Sequence, residues 1–122
     1  AFNHNARGIV PEVTIAGLTA TNAAFRYCDE WHQQEVAYLK ENRDYLLTEI
    51  NRIEGLKAIS PAATFLLWVD ASGLQVSDTQ AWCEAKGVGP SAGKDFGDKD
   101  CFRLNFGCSR DYLVEAIKKL QG

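Results

Sequence analysis

The sequence predicts an α+β fold: a small antiparallel or mixed sheet with helices packed on one face, preceded by a long helix. Three observations predict it. Residues 30–54 carry apolar side chains at helical spacing, Thr64 to Asp70 is a short run apolar on both faces, and Cys101 to Phe106 alternates strictly. Segments in this order, helix, long helix, strand, helix, loop or strand, strand, helix, build one helix-covered layer. The 122 residues fit a single domain over residues 11–122. Residues 1–10 are expected to form a disordered or extended lead-in.

Pro11 and Glu12 suit a helix start, because proline is tolerated in the first turn and an acid complements the helix dipole. Val13 to Cys28 is rich in small residues (Ala16, Gly17, Ala20, Ala23, Ala24) that let a helix approach a neighbour closely, and Asp29 reads as a junction or cap. Between Glu30 and Glu54, the residues Val36, Leu39, Leu46, Ile50 and Ile53 share one stripe, while Lys40, Glu41, Arg43, Asp44 and Arg52 lie mostly off it. Gly55 ends this helix. Thr64 to Asp70 reads as a buried strand. Ser77 and Gln80 have capping-box spacing and open a short helix with Ala81, Trp82 and Ala85 inward, closed by Gly87. Val88 to Asp100 is a loop or short strand punctuated by Gly89, Pro90, Gly93 and Gly97. In the next strand, Phe102, Leu104 and Phe106 face one way, and Cys101, Arg103 and Asn105 the other. Ser109 caps a last helix with Leu113, Ala116, Ile117 and Leu120 as its core stripe.

Composition narrows the function. A net charge of −3 argues against nucleic acid as a partner, since phosphate binding needs a basic face. No apolar run approaches a membrane span of about 20 residues, so no membrane partner is expected. Cys28, Cys83, Cys101 and Cys108 show no C-x-x-C spacing, and only His4 and His32 could join them, so no zinc site is expected. Four reduced thiols and a cytoplasmic location are the expectation. The chain has no Met, and Ala1 to Gly8 is polar; both suit a piece of a longer protein.

Arg103 is the sharpest chemical signal. It sits mid-strand between Phe102 and Leu104, where a planar guanidinium is well placed to meet a carboxylate with two parallel hydrogen bonds. The plain alternative is an exposed strand arginine in a surface ion pair. The Gly87–Lys94 loop fails as a phosphate-binding loop, because Val88 stands where the first glycine belongs and Asp95 follows Lys94. Ser91 and Lys94 have the spacing of a serine–lysine pair, which three-residue spacings match often by chance. His32 reads as a solvated or packed helix residue, and Trp31, Trp68 and Trp82 as core.

Several motifs resemble one family. Cys101-Phe102-Arg103-Leu104-Asn105-Phe106-Gly107-Cys108-Ser109-Arg110 resembles the closing motif of the class I/II aminotransferases that depend on pyridoxal 5'-phosphate (PLP). Its "RLNFGCSR" run is most similar to the cystathionine β-lyase-like branch, with Ser109 where proline is usual. Ala23-Ala24-Phe25 then Asp29-Glu30-Trp31 resembles the family's helix junction, and Tyr38-Leu39-x-x-Asn42-Arg43 its Y-L-x-x-N helix. Ala63 to Asp70 resembles its T-Y-L-x-W-x-D strand, and Gly93-x-x-Phe96-Gly97 its G-x-x-F-G loop. The resemblance covers about residues 12–121.

This resemblance implies the C-terminal small domain of a fold type I enzyme, with the helix leading into it. It implies that Arg103 binds the α-carboxylate of an amino-acid substrate. It also implies PLP as cofactor of the intact protein, a large domain upstream that anchors it, and a homodimer. No lysine here matches the family's S-x-x-K-x-F-N anchor, so no cofactor-binding, catalytic or metal-binding residue is expected in this chain, and the chain alone is expected to be inactive. Two functions stay open: part of a PLP-dependent aminotransferase or C–S (cystathionine β-) lyase, with β-elimination slightly favoured, or a self-standing non-catalytic module that binds a small carboxylate or a partner protein.

Overall fold

The computed structural model describes residues 13–122, so the expected lead-in and the helix start at Pro11 fall outside the described residues. The described residues divide into two units, residues 13–35 and residues 36–122.

In the first unit, helix α1 spans Ile15–Tyr27. Thr14 caps it, its hydroxyl oxygen accepting from the Gly17 N–H at 3.1 Å. That contact satisfies one of the donors every helix leaves open at its start. None of its residues is buried, and Ile15, Leu18 and Phe25 are exposed. Of the small-residue stripe, Ala16, Ala20 and Ala24 are exposed, and Gly17 and Ala23 are half-buried. Asp29, expected at a junction or cap, is the first residue of helix α2, Asp29–Ile50, where Asp29 and Glu30 complement the dipole.

The second unit begins inside α2. The helix ends at Ile50, short of the expected Glu54, because residues 51–54 tighten into turns, and Gly55 then takes a φ of 84° that favours glycine. Leu46 and Ile50 are buried as the stripe requires, and Asn42 is buried with them.

Four strands follow: β1 (Lys57–Ile59), β2 (Leu66–Asp70), β3 (Ser91–Ala92) and β4 (Cys101–Asn105). They form one antiparallel sheet in the order β1-β2-β4-β3. Strand β1 is an addition to the expected set; three residues are too few to show a period. Helix α3, Thr79–Ala85, corrects the expected capping box. Asp78, not Ser77, caps it, accepting from the Ala81 N–H at 3.0 Å. Its buried residues are Thr79 and Cys83; Trp82 is half-buried and packs against the core as expected, whereas Ala81 and Ala85 are exposed. The Thr79 hydroxyl donates to the Cys101 carbonyl at 3.1 Å, which fixes the helix's rotation. Helix α4, Arg110–Gln121, buries Leu113, Ile117 and Leu120 as expected.

Leu46, Ile50, Leu67, Val69, Cys83, Phe102, Phe106, Leu113, Ile117 and Leu120 form one core. Helices and one sheet face supply it, which leaves the other sheet face for Trp68, Ser91 and Arg103. None of the three tryptophans is buried: Trp31 is 63% exposed, and Trp68 and Trp82 are half-buried.

Candidate functional site

Arg103 stands mid-strand on β4, opposite the buried face of Phe102, as the alternation requires. Its cross-strand partners are Trp68 on β2 and Ser91 on β3. The side chain is half-buried. Its Cζ lies 4.3 Å from the centroid of the Phe96 ring, and Nη2 donates to Ser91 Oγ at 3.3 Å. The Phe96 ring meets Trp68 edge to face, with centroids 6.0 Å apart. Phe96 ends a 3-10 turn, Gly93–Phe96, that is clamped to the strand: a Cβ on Gly93 would collide with the Cys101 and Asp98 carbonyl oxygens.

The electrostatics of this site are unbalanced. Among the described residues no carboxylate pairs with Arg103, although five other ion pairs are present. Arg103 Nε is shut off from solvent and has no hydrogen-bond partner. A charge taken partly out of water is normally paired, and an orphaned buried donor costs about 1–3 kcal/mol. The ion pair that the plain reading of Arg103 requires is therefore absent among the described residues.

The other sequence candidates separate. Ser91 faces Arg103, while Lys94 reaches Asp78 at 3.6 Å, so the two do not form a serine–lysine pair. Cys101 shares the Arg103 face by alternation yet is buried, because the 3-10 turn covers it. Its thiol is pushed up to about 11, first by burial and then by the hydrogen bond to Asp98, which rules it out as a ready nucleophile. Cys83 is pushed up to about 12 by burial. All four cysteines are free thiols. His32 is exposed.

One cluster lay beyond the sequence reading. Tyr38, Asn42 and Tyr45 share a face of α2, four and then three residues apart. Asn42 Nδ2 donates to the carbonyls of Phe106 (3.1 Å) and Cys108 (2.9 Å), and its Oδ1 accepts from Arg110 Nε at 2.9 Å. Tyr38 Oη accepts from the Arg110 backbone N–H at 2.7 Å, which caps α4; the Ser109 side chain makes no capping bond. Arg110 lies over the Tyr45 ring at 4.6 Å. Asn105 accepts from the Gly107 N–H at 2.8 Å and shapes the same turn. The Y-L-x-x-N and R-L-N-x-x-C-x-R motifs are thus two halves of one joint. Their order in sequence showed the resemblance but not the contact.

Residues 4–120 match the sequence profile described as aminotransferase class I and II. The chain belongs to this family. It is 32% identical over 111 residues to the cystathionine beta-lyase of Corynebacterium glutamicum, covering 88% of this chain and 30% of that protein. Cystathionine beta-lyase PatB of Bacillus subtilis is 27% identical over 113 residues, with 85% and 28% covered. Among solved structures, OvoB superposes with a TM-score of 0.92 at 42% identity, covering 97% of this chain and 31% of that one. A putative PLP-dependent beta-cystathionase from Corynebacterium diphtheriae gives 0.86 at 38% identity, with 94% and 32% covered. The chain spans about three-tenths of the length of these relatives.

Proposed function

We propose that this chain is the C-terminal part of a longer PLP-dependent enzyme, an aminotransferase or C–S lyase, and that Arg103 holds the α-carboxylate of its amino-acid substrate. One observation carries the reading: a half-buried, strand-mounted guanidinium with no acid partner among the described residues, whose outer nitrogens make a single hydrogen bond, to Ser91 Oγ. A substrate carboxylate supplies the missing charge, and the fork accepts it with directionality that an ammonium lacks. The names of the relatives favour PLP chemistry, with β-elimination from a sulfur amino acid slightly ahead of transamination.

The residues of this chain do not fit the cofactor itself. Six of its seven lysines are exposed, and Lys86 lies over Trp82 at 5.1 Å. Lys94, Lys99 and Lys119 sit beside acids. The anchor therefore belongs to a large domain elsewhere in the protein, and this chain contributes substrate recognition. Exposed Ile15, Leu18, Phe25 and Trp31 suit burial against that domain or a second subunit of a homodimer. Free thiols suit a reducing, cytoplasmic setting.

The test compares 2-methylalanine with isopropylamine, the same amine without its carboxylate, by calorimetry on the intact enzyme. Arg103→Lys should weaken 2-methylalanine by roughly 10- to 100-fold, because one charge-assisted hydrogen bond is lost. Isopropylamine should be unaffected. Equal losses for both ligands would make Arg103 a structural residue and end this assignment.

A further inference from the structure

We propose that Phe96 is a positioning residue for Arg103: its ring is the platform that holds the guanidinium in place for an incoming carboxylate. The inference rests on the reading of Arg103 as the carboxylate site. A cation over an aromatic face is attracted by the ring quadrupole, and the Cζ–centroid distance of 4.3 Å is well within range. The arrangement suits recognition because ring contact fixes the guanidinium without occupying its hydrogen bonds. Among the described residues, Arg103 makes one hydrogen bond, from Nη2 to Ser91 Oγ; Nε is shut off from solvent, so Nη1 and the second N–H of Nη2 are the donors left for a carboxylate.

The ring is itself held. Trp68, the cross-strand neighbour of Arg103, meets its edge at an interplanar angle of 86°. Behind it, the 3-10 turn cannot retreat, because Gly93 packs directly on the carbonyls of Asp98 and Cys101. The Gly97 N–H closes the turn onto the Lys94 carbonyl at 3.3 Å. Phe96 is nonetheless 51% exposed, too exposed for a core role to explain a large aromatic at this position. A site residue must be held by neighbours whose own conformations are locked, and Phe96 on its braced turn meets that requirement.

Phe96→Leu keeps an apolar side chain and removes the π face; Phe96→Tyr keeps the face. On the intact enzyme, Phe96→Leu should weaken 2-methylalanine by roughly 3- to 30-fold and leave isopropylamine unchanged, while Phe96→Tyr should stay within about twofold of the parent. Arg103→Lys is measured alongside. If it discriminates between the two ligands and Phe96→Leu changes neither, or weakens both alike, the positioning role is overturned while the carboxylate site stands. If Arg103→Lys does not discriminate, the carboxylate site falls and the role of Phe96 falls with it.

Discussion

Asn42 shows what a single residue can decide. It is fully buried, and its amide makes three hydrogen bonds, two of them to main-chain carbonyls that have left the sheet and not yet entered a helix. Removing a buried donor leaves its acceptors unpaired, at about 1–3 kcal/mol per group. Asn42→Ala should therefore lower the unfolding free energy by several kcal/mol in urea titration. Asn42→Asp, which keeps the shape but cannot donate to those carbonyls, should be comparably damaging. A loss under 1 kcal/mol for both would mean that the turn holds without them. The placement of Arg103 was legible in the sequence because strand alternation assigns its face, while a role for its charge came only from the resemblance. Asn42 was not, because a polar residue on a helix is ordinarily solvated. Only the tertiary contact shows that its stripe position, between Leu39 and Leu46, points it inward.

At the scale of the element, β4 was the most readable and β1 the least. The strict alternation of β4 needs no context, since a period of two assigns each side chain to a face. Phe106 at its end is buried, and its N–H donates to the Phe65 carbonyl at 2.8 Å, whereas Leu104 is half-buried. Phe106→Ala should then cost about 3–5 kcal/mol, and Leu104→Ala clearly less. If chemical denaturation ranks these two the other way, the packing at the end of the strand is different. Strand β1 is made by its partner: Lys57, Ala58 and Ile59 pair with Asp70, Val69 and Trp68, and the Asn51 side chain accepts from the Ala58 N–H at 2.9 Å. None of this is written in the three residues themselves. The start of α3 slipped by one residue for a related reason. Ser77 and Asp78 are both good caps, and the choice falls to Thr79, whose hydroxyl is tied to β4.

At the scale of the whole molecule, the two units differ in what holds them. Residues 36–122 contain a continuous core, while α1, 13 residues long, buries nothing among the described residues. An isolated helix shorter than about 12–15 residues is marginal in water. In the 122-residue chain alone, amide exchange should be much faster in α1 than in α4. In the intact protein α1 should become protected, as its apolar residues are covered. Equal protection of α1 in both preparations would show that it is stable without a partner surface. The fold class and the helical cover of the sheet were legible because each rests on periodicity, but the choice of antiparallel over mixed pairing was not, and neither was the exposure of α1, because an apolar pattern does not name what it packs against. The joint made by Asn42 carries a consequence for how the chain is born. Its two ends are 64 residues apart in sequence. At about 5–20 residues per second, a ribosome takes roughly 3–13 seconds to make the intervening chain. For that interval the long helix exists with its amide groups unanswered. The turn at Phe106 to Cys108, made well after that helix, is the one that answers it.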